Sequence, residues 1–110
     1  MSENIISLKD PEAYRIALAA TRAGQEAAQE WMQAHGDTGA CGFAFVYIDG
    51  AMGERMAAVG ARLTRQGAEY FTTASCGECQ SLNAQEHVAR AMVSSLEGNG
   101  VKARMESRMD

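Results

Sequence analysis

His35, Asp37 and Cys41 lie close together in the glycine-punctuated run HGDTGACG, and Cys76 and Cys79 form a C-x-x-C pair further along. A thiol, an imidazole and a carboxylate are the parts of a nucleophilic site, with Cys41 attacking, His35 as base and Asp37 orienting the histidine. The plainer reading is a small buried cysteine entering a strand. His35, Cys41, Cys76 and Cys79 together also make a three-thiolate, one-imidazole donor set of the kind that holds zinc. One C-x-x-C carries little specificity, and the spacing from His35 to Cys41 is not a standard half-site. A thioredoxin-type reading of Cys76–Cys79 lacks the expected aromatic and proline context.

A different chemistry is offered by the turns. Asp49, Gly50 and Gly53 open one helix, and Ser75 to Ser81 lead into another. Helix N-termini present free backbone N–H groups that suit an anion. Arg55, Ser75, Ser81 and Arg108 add donors, so Asp49, Gly50, Gly53, Arg55, Ser75, Ser81 and Arg108 are the candidate ligand residues for a phosphate or carboxylate. Neither loop is a full phosphate-loop or dinucleotide fingerprint, and ordinary turns and caps are the plainer explanation of both.

The helices and strands that carry these groups are read from period and punctuation. Asp10-Pro11-Glu12 is a helix start, and Ile16, Ala20, Ala23, Ala27 and Trp31 share one face of a helix that Gly36 ends. Phe43–Ile48 has no polar member and is short, aromatic and β-branched, which predicts a strand covered on both faces. A second helix is predicted from Gly53 or Glu54 to Gln66, with Met52, Met56, Val59 and Leu63 as its apolar stripe. Ala68–Ala74 reads as a second strand, with Tyr70, Thr72 and Ala74 on one face and Glu69, Phe71 and Thr73 on the other. Asn83 with Glu86 resembles a capping box opening a third helix, whose inward residues are Val88, Ala91, Met92 and Ser95–Leu96. His87 reads as solvated. Gly98 and Gly100 stop that helix, and Val101, Ala103 and Met105 alternate with polar residues as a last strand.

The order α-β-α-β-α-β predicts a single α/β domain over residues 10–110. Its three-stranded sheet is expected to be mainly parallel, in order 2-1-3 with right-handed crossovers. Residues 1–9 read as a loose arm. An α+β alternative, with strands one and two antiparallel, remains open. The choice matters for chemistry. In the parallel arrangement the His35–Cys41 and Cys76–Cys79 pairs sit at opposite strand ends, roughly 20 Å apart. The zinc set requires the antiparallel one.

Bulk properties narrow the function classes. A chain of 110 residues suits one domain. The net charge of −4 argues against a general nucleic-acid surface. No apolar run approaches the length of a membrane span, and no secretory leader is visible. The three cysteines are therefore expected to be free thiols in a reducing cytoplasm. A polar last strand that leaves a sheet edge open, or the alanine-rich first helix, suits a homo-oligomer.

The runs His35–Val46 and Ser107-Arg108-Met109-Asp110 resemble those of small uncharacterised proteins encoded by bacteriophages and prophages. Phe45 stands where those proteins often carry tryptophan, and Cys76–Cys79 is not part of their pattern. The resemblance covers about a third of the chain and brings no activity with it. It implies a phage accessory protein in the host cytoplasm, acting on host defences by binding a host protein or an anionic small ligand such as a nucleotide. The expectation is thus a binder more than an enzyme, with no cofactor unless zinc is held by the cysteines.

Overall fold

The computed structural model describes residues 9–77 and 80–109; the expected arm, apart from Lys9, lies outside them. The elements are α1 (Pro11–His35), β1 (Gly42–Asp49), α2 (Gly50–Ala58), β2 (Thr64–Gln66), β3 (Glu69–Ala74), α3 (Leu82–Gly98) and β4 (Ala103–Met109). The four strands form one sheet in the order β2-β3-β1-β4. Every neighbouring pair is antiparallel. The mainly parallel three-stranded sheet is therefore corrected to a four-stranded antiparallel one in an α+β domain.

The correction has a local cause. Met52, Met56, Val59 and Leu63 keep helical spacing, but α2 stops at Ala58 and Val59 is its C-cap. Gly60 follows in the left-handed region, with φ +101°, where only glycine is at ease. Leu63 packs against the core from outside any helix. The residues after it form β2, which pairs back on β3 with Gln66 opposite Glu69. A nine-residue helix followed by a hairpin turns the chain around instead of carrying it back along the sheet. β3 therefore returns beside β1 in the opposite direction.

α1 begins and ends where its sequence signals stand. The Asp10 carboxylate accepts the Ala13 N–H at 3.2 Å, and Pro11 follows the cap. Gly36, with φ +69°, stops the helix. Its inner face is small, so α3 comes close: a Cβ on Gly24 would sit 3.0 Å from Met92 Cγ. The N-terminus of α1 is tied to α2 by Arg55, which donates to both carboxylate oxygens of Asp10 and to Glu12.

This clasp makes acid stability measurable. The hydrogen bond from Arg55 holds the Asp10 carboxyl down at about 2, against an ordinary 3.8. A depressed carboxylate contributes stability that is complete above its unfolded value and is lost as pH falls toward its folded one. Asp10→Asn keeps a capping oxygen and removes the charge. The melting temperature of Asp10→Asn should fall below that of the parent above about pH 5, with the gap closing between about pH 4 and pH 2. A gap that persists at the acid end would show that the charge is not its source.

β1 is covered on one face only, which corrects the expectation of two covered faces. Gly42, Ala44, Val46 and Ile48 are buried and alternate with the more exposed Phe43, Phe45 and Tyr47. Ala44, Val46 and Ile48 join Ile16, Val88 and Leu96 in the core. β3 divides as its pattern predicts: Tyr70, Thr72 and Ala74 lie opposite Ile48, Val46 and Ala44, and Phe71 and Thr73 oppose Tyr47 and Phe45. The antiparallel sheet thus has a helical side and an open side.

Candidate functional site

The antiparallel pairing brings the HGDTGACG loop to the loop that follows β3. One Asp37 carboxylate oxygen accepts the N–H groups of Gln80 and Ser81, at 3.0 and 2.9 Å. Leu82 N–H donates to Ala40 C=O at 2.8 Å, and Cys41 bridges to Ser81. Asp37 is thereby a clasp for the loop leading into α3. His35 turns instead to Trp31, with ring centroids 4.2 Å apart. The Cys41 thiol is exposed and lies 3.8 Å from Gln80 Oε1. The three side chains of the nucleophilic reading are each engaged elsewhere.

The zinc reading loses its geometric objection, because the strands are antiparallel. Even so, no group of three or more His, Cys, Asp or Glu side chains disposed for a metal occurs among the described residues. Cys79 lies outside them. Cys76 is nearly buried and disulfide-bonded, which corrects the expectation of three free thiols. His87, expected to be solvated, is half-buried. Its ring lies 5.4 Å from Trp31 and its Nε2 is 3.1 Å from a Glu30 oxygen. Trp31 Nε1 is buried without a hydrogen-bond partner among the described residues.

The candidate anion residues are split between the two ends of the sheet. Asp49 opposes Glu69 at one end, whereas Phe43 opposes Arg108 at the other. Each helix N-terminus is also occupied by its own cap. Asp49 accepts the Met52 N–H at 3.0 Å, and buried Ser81 accepts the Ala84 N–H at 3.2 Å. Ser81 thus caps α3, two residues before the Asn83 expected in that role. Ser75 turns on the Gly77 backbone. Arg55 is held by Asp10 and Glu12. Gly50 and Gly53 serve close packing, since a Cβ on either would lie 2.5 Å from Ala68 O or 2.6 Å from Tyr70 Cδ1. Arg108 is the member of the set that remains exposed without an ion pair among the described residues.

Arg108 stands on the open face of the sheet, where a continuous aromatic row runs. Phe43 and Phe45 have centroids 6.5 Å apart, Phe71 meets Phe45 edge-on at 6.0 Å, and Tyr47 stacks with Phe71 at 5.5 Å. Phe43 is 45% exposed. Beside the row, the Arg104 guanidinium lies 4.3 Å above the Tyr47 ring and pairs with Glu69 and Glu106. A depression of about 270 Å³ lies between Phe45, Tyr47, Phe71, Glu106 and Arg108. An aromatic centre with a charged rim is the usual anatomy of a protein-recognition patch. A separate, mostly apolar cleft of about 350 Å³ opens on the helical side between Tyr14, Leu18, Leu63 and Met92.

The aromatic face is the feature that sequence reasoning missed. Phe43, Phe45 and Tyr47 were hidden inside a run with no polar member. The signal was in β4, whose Arg104, Glu106 and Arg108 oppose Tyr47, Phe45 and Phe43. A polar face on a neighbouring strand marks the side of β1 that meets water.

No family model, no curated protein and no solved structure matches the chain. No helix among the described residues is long and apolar enough to cross a membrane.

Proposed function

We propose that this protein is a small accessory binding module of the phage type that its sequence resembles. It grips a host protein through the open face of its sheet. The observation that supports this reading is the aromatic row Phe43–Phe45–Phe71–Tyr47, left uncovered by the three helices. Rings held in a sheet offer large contact area at little entropic cost. The rim charges of Arg104, Glu69, Glu106 and Arg108 supply orientation and specificity. No catalytic role is assigned, because His35, Asp37 and Cys41 each serve other contacts.

The test is a comparison of partner capture from host lysate by the parent and by Phe45→Ser/Phe71→Ser. These side chains lie outside the core cluster, so the variant should keep its far-ultraviolet spectrum. Central aromatic anchors typically contribute about 2 kcal/mol or more each. The variant should therefore bind a captured host protein at least about 30-fold more weakly. Equal capture by both proteins would remove the open face from consideration.

A second reading is favoured by the depression beside Arg108. Aromatic walls with one guanidinium suit a planar base carrying a phosphate. Under this reading a nucleotide should raise the melting temperature of the parent but not of Arg108→Ala. A panel of nucleotides that shifts neither protein would leave the protein partner alone.

A further inference from the structure

The free edge of β4 carries a pattern that complements itself. Asp49 N–H donates to Lys102 C=O, across the continuation of the β1–β4 ladder. Gly42 N–H donates to Gln80 C=O, on the opposite side of β1. The odd-numbered residues of β1 therefore aim their backbone groups at β4. Their partners Arg104, Glu106 and Arg108 aim theirs back. It follows that Ala103, Met105, Ser107 and Met109 turn N–H and C=O groups toward the outer edge. β4 is the terminal strand of the sheet. It is seven residues long, has no proline, and is exposed from Glu106 to Met109. Such an edge is a template for another strand.

We propose that two copies of this chain pair antiparallel through β4, with the two-fold axis at Ser107, joining both four-stranded sheets into one. Side-chain parity and charge select that register. An axis at Glu106 sets Glu106 against its own copy and Arg104 against the partner's Arg108. An axis at Met105 sets Lys102 against the partner's Arg108. Like charges directly opposite are destabilising. The axis at Ser107 instead places Glu106 opposite the partner's Arg108, and Arg108 opposite the partner's Glu106, with no like pair among the described residues.

Two further observations fit the same register. Arg108 has no ion pair among the described residues of its own chain. Met109 is 68% exposed although it lies on the helical side of the sheet, opposite Gly42. In the dimer Met109 faces the partner's Met105, which already packs against the core. The aromatic rows of the two copies then lie on one continuous open face.

Light scattering and sedimentation of the full chain test the proposal, with circular dichroism as the control for folding. The parent should be a dimer at about 0.1 mM. Glu106→Arg and Arg108→Glu should each raise the dimer dissociation constant at least about tenfold, since each converts both symmetric pairs to like charges. The double variant exchanges the charges across the axis and should return to within about threefold of the parent. Ser107→Pro removes an outward N–H without touching the intramolecular ladder, and should be a folded monomer. A monomeric parent, a double variant that stays as weak as the singles, or a dimeric Ser107→Pro would each overturn the proposal.

Discussion

Gly53→Val is expected to destabilise the domain by about 3 kcal/mol, whereas Gly98→Ala should stabilise it slightly. Both glycines are helical, and their surroundings decide the difference. A Cβ on Gly53 would lie 2.6 Å from Tyr70 Cδ1 and 2.8 Å from Tyr70 Cβ. The ring can swing, but the Tyr70 Cβ is fixed to β3, so α2 itself must lift from the sheet. Overpacking of this kind costs about 1–3 kcal/mol and occasionally more, and valine adds two methyl groups to the clash. Nothing lies within 4 Å of a Cβ on Gly98, and alanine there gains up to about 1 kcal/mol in helix propensity. For a domain of this size the melting temperature should fall by more than about 10 °C in the first case and rise by a few degrees in the second. A Gly53→Val protein that melts with the parent would mean that α2 does not rest on Tyr70.

Gln85→Leu is expected to cost about 1–3 kcal/mol, although it exchanges a polar side chain for an apolar one of similar size inside the protein. Gln85 is 5% exposed on the inner face of α3. Its Nε2 donates to Gly42 C=O at 2.8 Å, and its Oε1 accepts the Ala44 N–H at 3.3 Å. β3 ends at Ala74, opposite Ala44. The Gln85 amide therefore continues the hydrogen bonding of β1 past the end of β3, at Gly42. Leucine leaves the buried Gly42 C=O without its donor, at a cost of about 1–3 kcal/mol, while the Ala44 N–H keeps Ala74 across the ladder. Urea unfolding measures the loss. Hydrogen exchange should show the Ala44 amide losing protection ahead of the centre of β1, and uniform loss along the strand would point to general unfolding instead.

These two positions show what kind of information the chain carries locally. Gly53 reads as a helix opening and a candidate anion residue, because its packing contact is with a residue seventeen positions away. Gln85 carries no signal of its role in the sequence, because nothing near it reveals that β1 outruns β3. The candidate anion residues follow the same logic. Asp49, Ser75, Ser81 and Arg55 are the residue types that bind anions, and they are also the types that cap helices, form turns and pair with carboxylates. Arg108 stands apart because its cross-strand neighbour is Phe43, so no carboxylate lies directly opposite it.

Consecutive residues alone define α1 from its Asp10 cap to its Gly36 stop, the existence of β1, β3, α3 and β4, how the residues of β3 divide between two faces, and which residues of β4 face inward. Those features depend on contacts within a turn or on period along one strand, and both are written in consecutive residues. The direction of β3, the presence of β2 and the openness of the aromatic face come from packing between distant residues. Period names the sides of an element but not what covers them, and apolar spacing alone continues through Val59 and Leu63 whether or not the helix does. Gly60 stops α2 short, and the chain has to turn back. From that turn follow the antiparallel sheet, the helices gathered on one side, and the row of rings left on the other.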